Sequence, residues 1–218
     1  PVSEHAWRTG GAASGSSTMF LPVNSRATVE DLLRGVIVQS GNDACIVLAE
    51  ALSGSESAFA EEATDRAREL GLSTARFANS SGLPHPDHRI SSRDLAELAR
   101  ILIRDYPQYY PIWAEPEFTY NGIRQYNRNP LLGVFTGADG LKTGHTEEAG
   151  YGLVGSAERD GVRRIIVFNG MESNSARANE AERMMRAAMS DFGLYDLYEA
   201  GDEVTSAEVF MGLSDSVT

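Results

Sequence analysis

A chain of 218 residues, 42% hydrophobic and 23% charged, is long enough to enclose a core, which excludes disorder as the whole of the molecule. With 31 acidic against 19 basic residues its formal charge is −12, a field that repels phosphate backbones and argues against nucleic-acid binding. The longest apolar stretches are only a few residues, far short of the ~20 a membrane helix needs, and a single cysteine, Cys45, excludes an intrachain disulfide or a cysteine-based metal cluster.

Pro1 to Gly10 carries neither an initiating Met nor a basic start followed by an apolar block, so the chain is expected to begin inside a longer protein. Thr9 to Ser17 reads TGGAASGSS, too rich in Gly and Ser for regular structure, and predicts a surface loop; it lacks the Gly-Lys-Ser/Thr ending of a phosphate-binding loop. Thr28 followed by Asp31 predicts a helix start, with Leu32, Leu33, Val36 and Ile37 at helical spacing. That helix runs into the polar turn Ser40-Gly41-Asn42-Asp43. A second helix follows, capped by Asn42 or Asp43 and carrying Ile46, Val47, Leu48 and Leu52, so two largely internal rods present the turn rigidly.

A third helix is expected over about Ser55 to Leu70, ending at Gly71, its EEATDRAREL segment an exposed face with i,i+4 charge pairs. A fourth starts at Ser91 or Ser92 and stops before Pro107. Asn121-Gly122 between EFTY and IRQY predicts a hairpin with a two-residue turn. Three short strands follow, Gly140–His145, Tyr151–Ala157 and Val162–Phe168, and a last helix covers roughly Ala176 to Phe192. Helices first, antiparallel strands second, then a helix predict an α/β (α+β) domain in which helices pack on an antiparallel sheet. There is no internal repeat and no linker before about residue 200, so one main domain is expected.

The cationic side is lopsided. There are 18 arginines and one lysine, Lys142, and an ammonium is a compact charge whose pKa moves easily, unlike a guanidinium. That lone lysine heads Lys142-Thr143-Gly144 on a predicted strand, while Ser40-Gly41-Asn42 occupies the helix-helix turn. Together with SGNDAC (40 to 45), FTYNGIRQYNRNPLL (118 to 132) and DGLKTGHTEEAGYGLVGSA (139 to 157), these motifs make the chain closely resemble the serine-type D-alanyl-D-alanine carboxypeptidases, the low-molecular-mass penicillin-binding proteins, over almost its whole length.

The resemblance implies the penicillin-binding protein/β-lactamase-like fold, lacking its N-terminal part. The family's nucleophile lies in a Ser-x-x-Lys segment well before the Ser-x-Asn turn. With Lys142 the sole lysine, no such segment exists in these 218 residues. Residues 1–199 are accordingly expected to be a partial catalytic domain and residues 200–218 the lead into a β-rich second domain. The implied activity is removal of the terminal D-alanine from peptidoglycan stem peptides through an acyl-enzyme, with no metal or organic cofactor, with β-lactams as inhibitors, no nucleic-acid partner, and an extracytoplasmic location with any membrane anchor outside this sequence.

Residue by residue, the resemblance implies that Ser40 passes a proton to the leaving nitrogen. Asn42 grips the substrate amide, since its side chain offers both a donor and an acceptor. Lys142 supplies positive charge beside Ser40 and toward the substrate carboxylate, Thr143 donates to that carboxylate, and Gly144 leaves room for substrate along the strand. The backbone N–H of His145 serves as an oxyanion donor, and Arg128 steers or holds the carboxylate.

Two alternatives stand beside this reading: a wall-peptide binding module that has lost its nucleophile, and a class A-like β-lactamase. The second needs a deacylating glutamate some three dozen residues after the turn, and Leu72 to Arg93 contains none. His85, between Pro84 and Pro86, and His88, next to Asp87, read as a solvent-facing loop rather than metal ligands. Cys45 reads as a small buried core residue.

Overall fold

A computed structural model describes residues 1–193, 197–199, 201–208 and 216–217. The first element, α1 (Glu4–Gly10), was not predicted. Ser3 caps it by accepting the Ala6 N–H at 2.9 Å, and a 3-10 turn at Ala12–Ser14 follows, so the Gly/Ser-rich stretch is partly helical. Helix α2 (Val29–Ile37) begins as predicted, Thr28 accepting the Asp31 N–H. Helix α3 (Asn42–Ser53) departs from expectation: its N-cap is Gly41, with no side-chain cap bond, and the Asp43 carboxylate turns away to bind a neighbouring segment.

Helices α4 (Glu56–Glu69) and α5 (Ser92–Asp105) are capped by Ser55 and Ser91. The charge pairs along α4, Arg66–Glu69 and Arg68–Asp65, have i,i+3 spacing rather than the predicted i,i+4. A 3-10 turn (Tyr110–Ala114) leads into the hairpin β1 (Glu117–Tyr120) and β2 (Ile123–Tyr126), where Asn121 and Gly122 have φ of 47° and 78°, as a two-residue turn requires.

The main sheet is antiparallel in the order β3 (Ala138–Thr146), β4 (Gly150–Arg159), β5 (Val162–Met171), and α6 (Asn174–Ser190) returns across it. Alternation along the strands gives the sheet two buried faces. Leu153, Ala157, Ile166 and Phe168 pack with Ala181 and Met185 of α6, while Val154 and Ile165 pack with Ala99, Leu102 and Ile103 of α5. A third cluster, around Ala6, Met19, Leu32, Ala44 and Ile46, holds α1, α2 and α3 together, and Phe118 and Tyr120 of the hairpin pack against it. Residues 200–218 lie partly outside the described residues; within the described part, Ala207–Glu208 pairs with Ser216–Val217.

Candidate active site

Ser40 sits between α2 and α3 with φ of 58°, a left-handed conformation costing a non-glycine residue roughly 1–2 kcal/mol. The surroundings hold it there. The Gly41 N–H donates to Gly35 O at 2.9 Å and the Asn42 N–H to Ser17 O at 2.8 Å, so the turn is clamped on both sides. Strained polar residues over-determined by packing are common at functional sites.

Lys142 approaches from the sheet. It pairs in register with Val154, whose side chain faces α5, and so it projects from the face of β3 that looks toward the helical half. Its Nζ donates to Ser40 Oγ at 2.8 Å, across 102 residues of chain, and makes a longer contact of 3.4 Å to Thr143 O. Because the ammonium donates, the Ser40 hydroxyl hydrogen is free to point elsewhere. Desolvation lowers the Lys142 pKa to about 8; Cys45 opposes that shift, and Arg128 and Arg177 add to it. At pH 7 the group still carries its proton.

Both motifs open on one cleft of about 1510 Å³, and all seven residues expected from the sequence line it: Ser40, Asn42, Arg128, Lys142, Thr143, Gly144 and His145. A Cβ placed on Gly144 would find no atom within 4 Å, so that strand position faces open space. As the first strand of the sheet, β3 has an edge without a partner strand among the described residues. The His145 ring stacks on Tyr151 with 3.9 Å between centroids, and Arg128 is exposed, its Nη1 donating to Ser17 Oγ at 2.6 Å.

Two of the other sequence readings need correcting. Cys45 is only half-buried and lines the cleft rather than lying in the core; burial pushes its thiol up to about 12, against the pull of Lys142. His88 is half-buried rather than solvent-facing, its Nδ1 accepting the Ala78 N–H at 3.3 Å beside Phe77, and burial holds its imidazole below the ordinary pKa. His85 is exposed as expected.

Arg177 escaped the sequence reading altogether. From the first turns of α6 its guanidinium reaches the cleft, 5% exposed, donating to Asn174 Oδ1 at 2.6 Å and to Gly144 O at 3.5 Å, and lying 5.4 Å from the Tyr151 ring centroid. Its Nε has no partner among the described residues, and burial lowers its pKa. Eighteen arginines in the sequence gave no local signal to single this one out. Among the described residues no three His, Cys, Asp or Glu side chains gather as a metal site would require.

A family model described as D-alanyl-D-alanine carboxypeptidase, peptidase S11, matches residues 1–173. The chain is 40% identical to the D-alanyl-D-alanine carboxypeptidase DacA of Haemophilus influenzae over 218 residues, covering 99% of this chain and 55% of that protein. The chain thus spans about half the length of the curated relatives it matches. Penicillin-binding protein 5 from Haemophilus influenzae superposes with a TM-score of 0.87 at 39% identity, covering 99% of this chain and 63% of that one. Penicillin-binding protein D2 from Listeria monocytogenes, in its ampicillin-bound form, gives 0.73 at 31% identity, covering 80% and 73%.

Proposed function

The chain belongs to the peptidase S11 family of D-alanyl-D-alanine carboxypeptidases, and from that premise we propose that it forms most of the catalytic domain of an extracytoplasmic enzyme that removes the terminal D-alanine from peptidoglycan stem peptides. The observation that carries this reading is the 2.8 Å hydrogen bond from Lys142 Nζ to Ser40 Oγ, which joins the two motifs at one cleft. Residues 1–199 are assigned to that domain and residues 200–218 to the lead into a second one.

Acyl transfer from a D-Ala-D-Ala peptide needs an activated serine, donors for the developing oxyanion and a proton for the departing amine. The attacking serine is assigned to a Ser-x-x-Lys segment outside the 218 residues. The substrate lies along the partnerless edge of β3, a mode in which main-chain bonds align an extended peptide, and Gly144 leaves the space it fills. As the lysine of the Ser-x-x-Lys segment takes the hydroxyl proton, the serine Oγ bonds to the carbonyl carbon of the penultimate D-alanine, and the resulting oxyanion accepts from the backbone N–H of His145. As the C–N bond breaks, Ser40 gives its proton to the leaving nitrogen and regains one from the segment's lysine, while the adjacent Lys142 ammonium steadies the alkoxide character that passes through Ser40. Asn42 holds the substrate amide. Thr143 and Arg128 meet the terminal carboxylate, with Arg177 behind Gly144. Water then hydrolyses the ester and frees the shortened peptide. A β-lactam amide, entering the same cleft, acylates the same serine.

Mass spectrometry with benzylpenicillin tests this. The 218 residues alone are expected to gain no adduct, whereas protein carrying the Ser-x-x-Lys segment gains one acyl group, at a rate that Lys142→Ala lowers roughly 100-fold. Acylation of any serine within the 218 residues, or acylation indifferent to Lys142, overturns the reading.

A further inference from the structure

Asp43 stands directly behind the cleft and takes no part in the chemistry above. Its side chain is fully buried at the first turn of α3, with both oxygens occupied. Oδ1 accepts from the Met19 N–H at 2.8 Å and the Ala44 N–H at 2.9 Å; Oδ2 accepts from the Thr18 hydroxyl at 2.7 Å and the Leu21 N–H at 3.0 Å. Three of these four donors belong to residues 18–21, a segment with no helix or strand of its own. A carboxylate so enclosed is held strongly by its donors and holds them in return.

The other side of the same segment reaches the sheet half. Thr18 O accepts from Gln125 Nε2 at 3.0 Å, and Ser17 Oγ accepts from Arg128 Nη1 at 2.6 Å, while Ser17 O takes the Asn42 N–H. Arg128 is an exposed, flexible side chain at the cleft rim, and Ser17 is what orients its tip. The orientation of Ser17 in turn depends on the segment that Asp43 fastens to α3.

We infer that Asp43 is a positioning residue: through the Ser17–Thr18 strap it fixes the Arg128 guanidinium at the cleft rim and so sets the preference for peptides that end in a free carboxylate. This rests on the carboxylate role proposed for Arg128. It predicts an effect on specificity rather than a uniform loss of turnover, because Asp43 touches neither the substrate nor the proton-transfer groups.

The test compares kcat/KM for an N-acyl-D-Ala-D-Ala peptide and its C-terminal carboxamide, using protein that carries the acylatable serine. Asp43→Asn, close in shape, is expected to lower the carboxylate-over-amide ratio roughly 10-fold, the scale of one charge-assisted hydrogen bond. In an Arg128→Gln background the same change is expected to have no further effect on the ratio. Should Asp43→Asn fail to fold, Thr18→Val removes one donor while keeping shape and is expected to shift the ratio in the same direction. Equal losses on both peptides, or a full effect persisting without Arg128, overturn the inference. Arg128→Gln alone reads the underlying assignment: if it leaves the ratio unchanged, the carboxylate role falls and the inference with it. If it collapses the ratio while the Asp43 and Thr18 variants do not, only the inference falls.

Discussion

In the proposed chemistry Lys142 has two opposing tasks, since it is desolvated where it reaches Ser40 and must be charged to act on it. Lowering its pKa from 10.5 to about 8 is the result of the first, and it dates the second. The folded protein gives up this proton at lower pH than the unfolded chain, so the buried charge weakens the fold below about pH 8 and the fold gains stability from pH 8 toward 10.5. If the ammonium is the working form, kcat/KM on a carboxylate-ended peptide falls as pH rises through about 8, just where stability climbs. A pH–rate profile paired with denaturant melts across the same range checks this; activity that rises through pH 8 means the neutral amine is the working form. At this scale the sequence was informative where rarity helped. One lysine in 218 residues drew attention to position 142, whereas Arg177, which reaches the same cleft, was hidden among its own kind.

At the scale of elements, the helix starts at Thr28, Ser55 and Ser91 or Ser92 were readable because a hydroxyl at the head of a helix has a local cause, while the cap expected at Asn42 or Asp43 falls at Gly41. Helix α1 and the hydrogen bonds of Asp43 to residues 18–21 were not, because both depend on partners distant in sequence. The end of α1 shows how close that partnership is. A Cβ at Gly10 would come within 2.6 Å of Asn42 C, backbone that cannot step aside without moving the turn that carries Ser40. Gly10→Ala is therefore expected to cost about 1–3 kcal/mol, as overpacking does, despite the gain in helix propensity. Urea denaturation of the variant checks it, and an unchanged midpoint would mean that α1 slides freely over α3.

Over the whole molecule, α5 shares an apolar core with the sheet, whereas the α1–α3 layer that carries Ser40 meets the hairpin and sheet through a set of polar contacts. Gln39 Nε2 donates to Phe118 O, Gln125 to Thr18 O, Arg128 to Ser17 and Lys142 to Ser40, while apolar contact with the α1–α3 layer runs through Phe118 and Tyr120 of the hairpin. No local pattern announces such a joint. The sequence could place Ser40 on one half and Lys142 on the other, and only the resemblance of both motifs to one family brought them together. An ion pair in the joint is formed by Arg34 of α2, whose Nε lies 3.0 Å from both oxygens of Glu115, just beyond the Tyr110–Ala114 turn. Both side chains are partly exposed, so the pair is worth at most about 1 kcal/mol, or some 2–4 °C in melting temperature for a chain of this size. Its larger effect is geometric. Because Ser40 follows directly after α2, loosening α2 from the sheet half lengthens the Lys142–Ser40 contact on which the proposed proton transfer depends. Glu115→Gln is thus expected to lower the melting temperature by no more than those few degrees while slowing β-lactam acylation severalfold, measured on protein that carries the acylatable serine. Acylation at the original rate with the same small loss of melting temperature would mean the pair holds the halves together without registering one motif against the other.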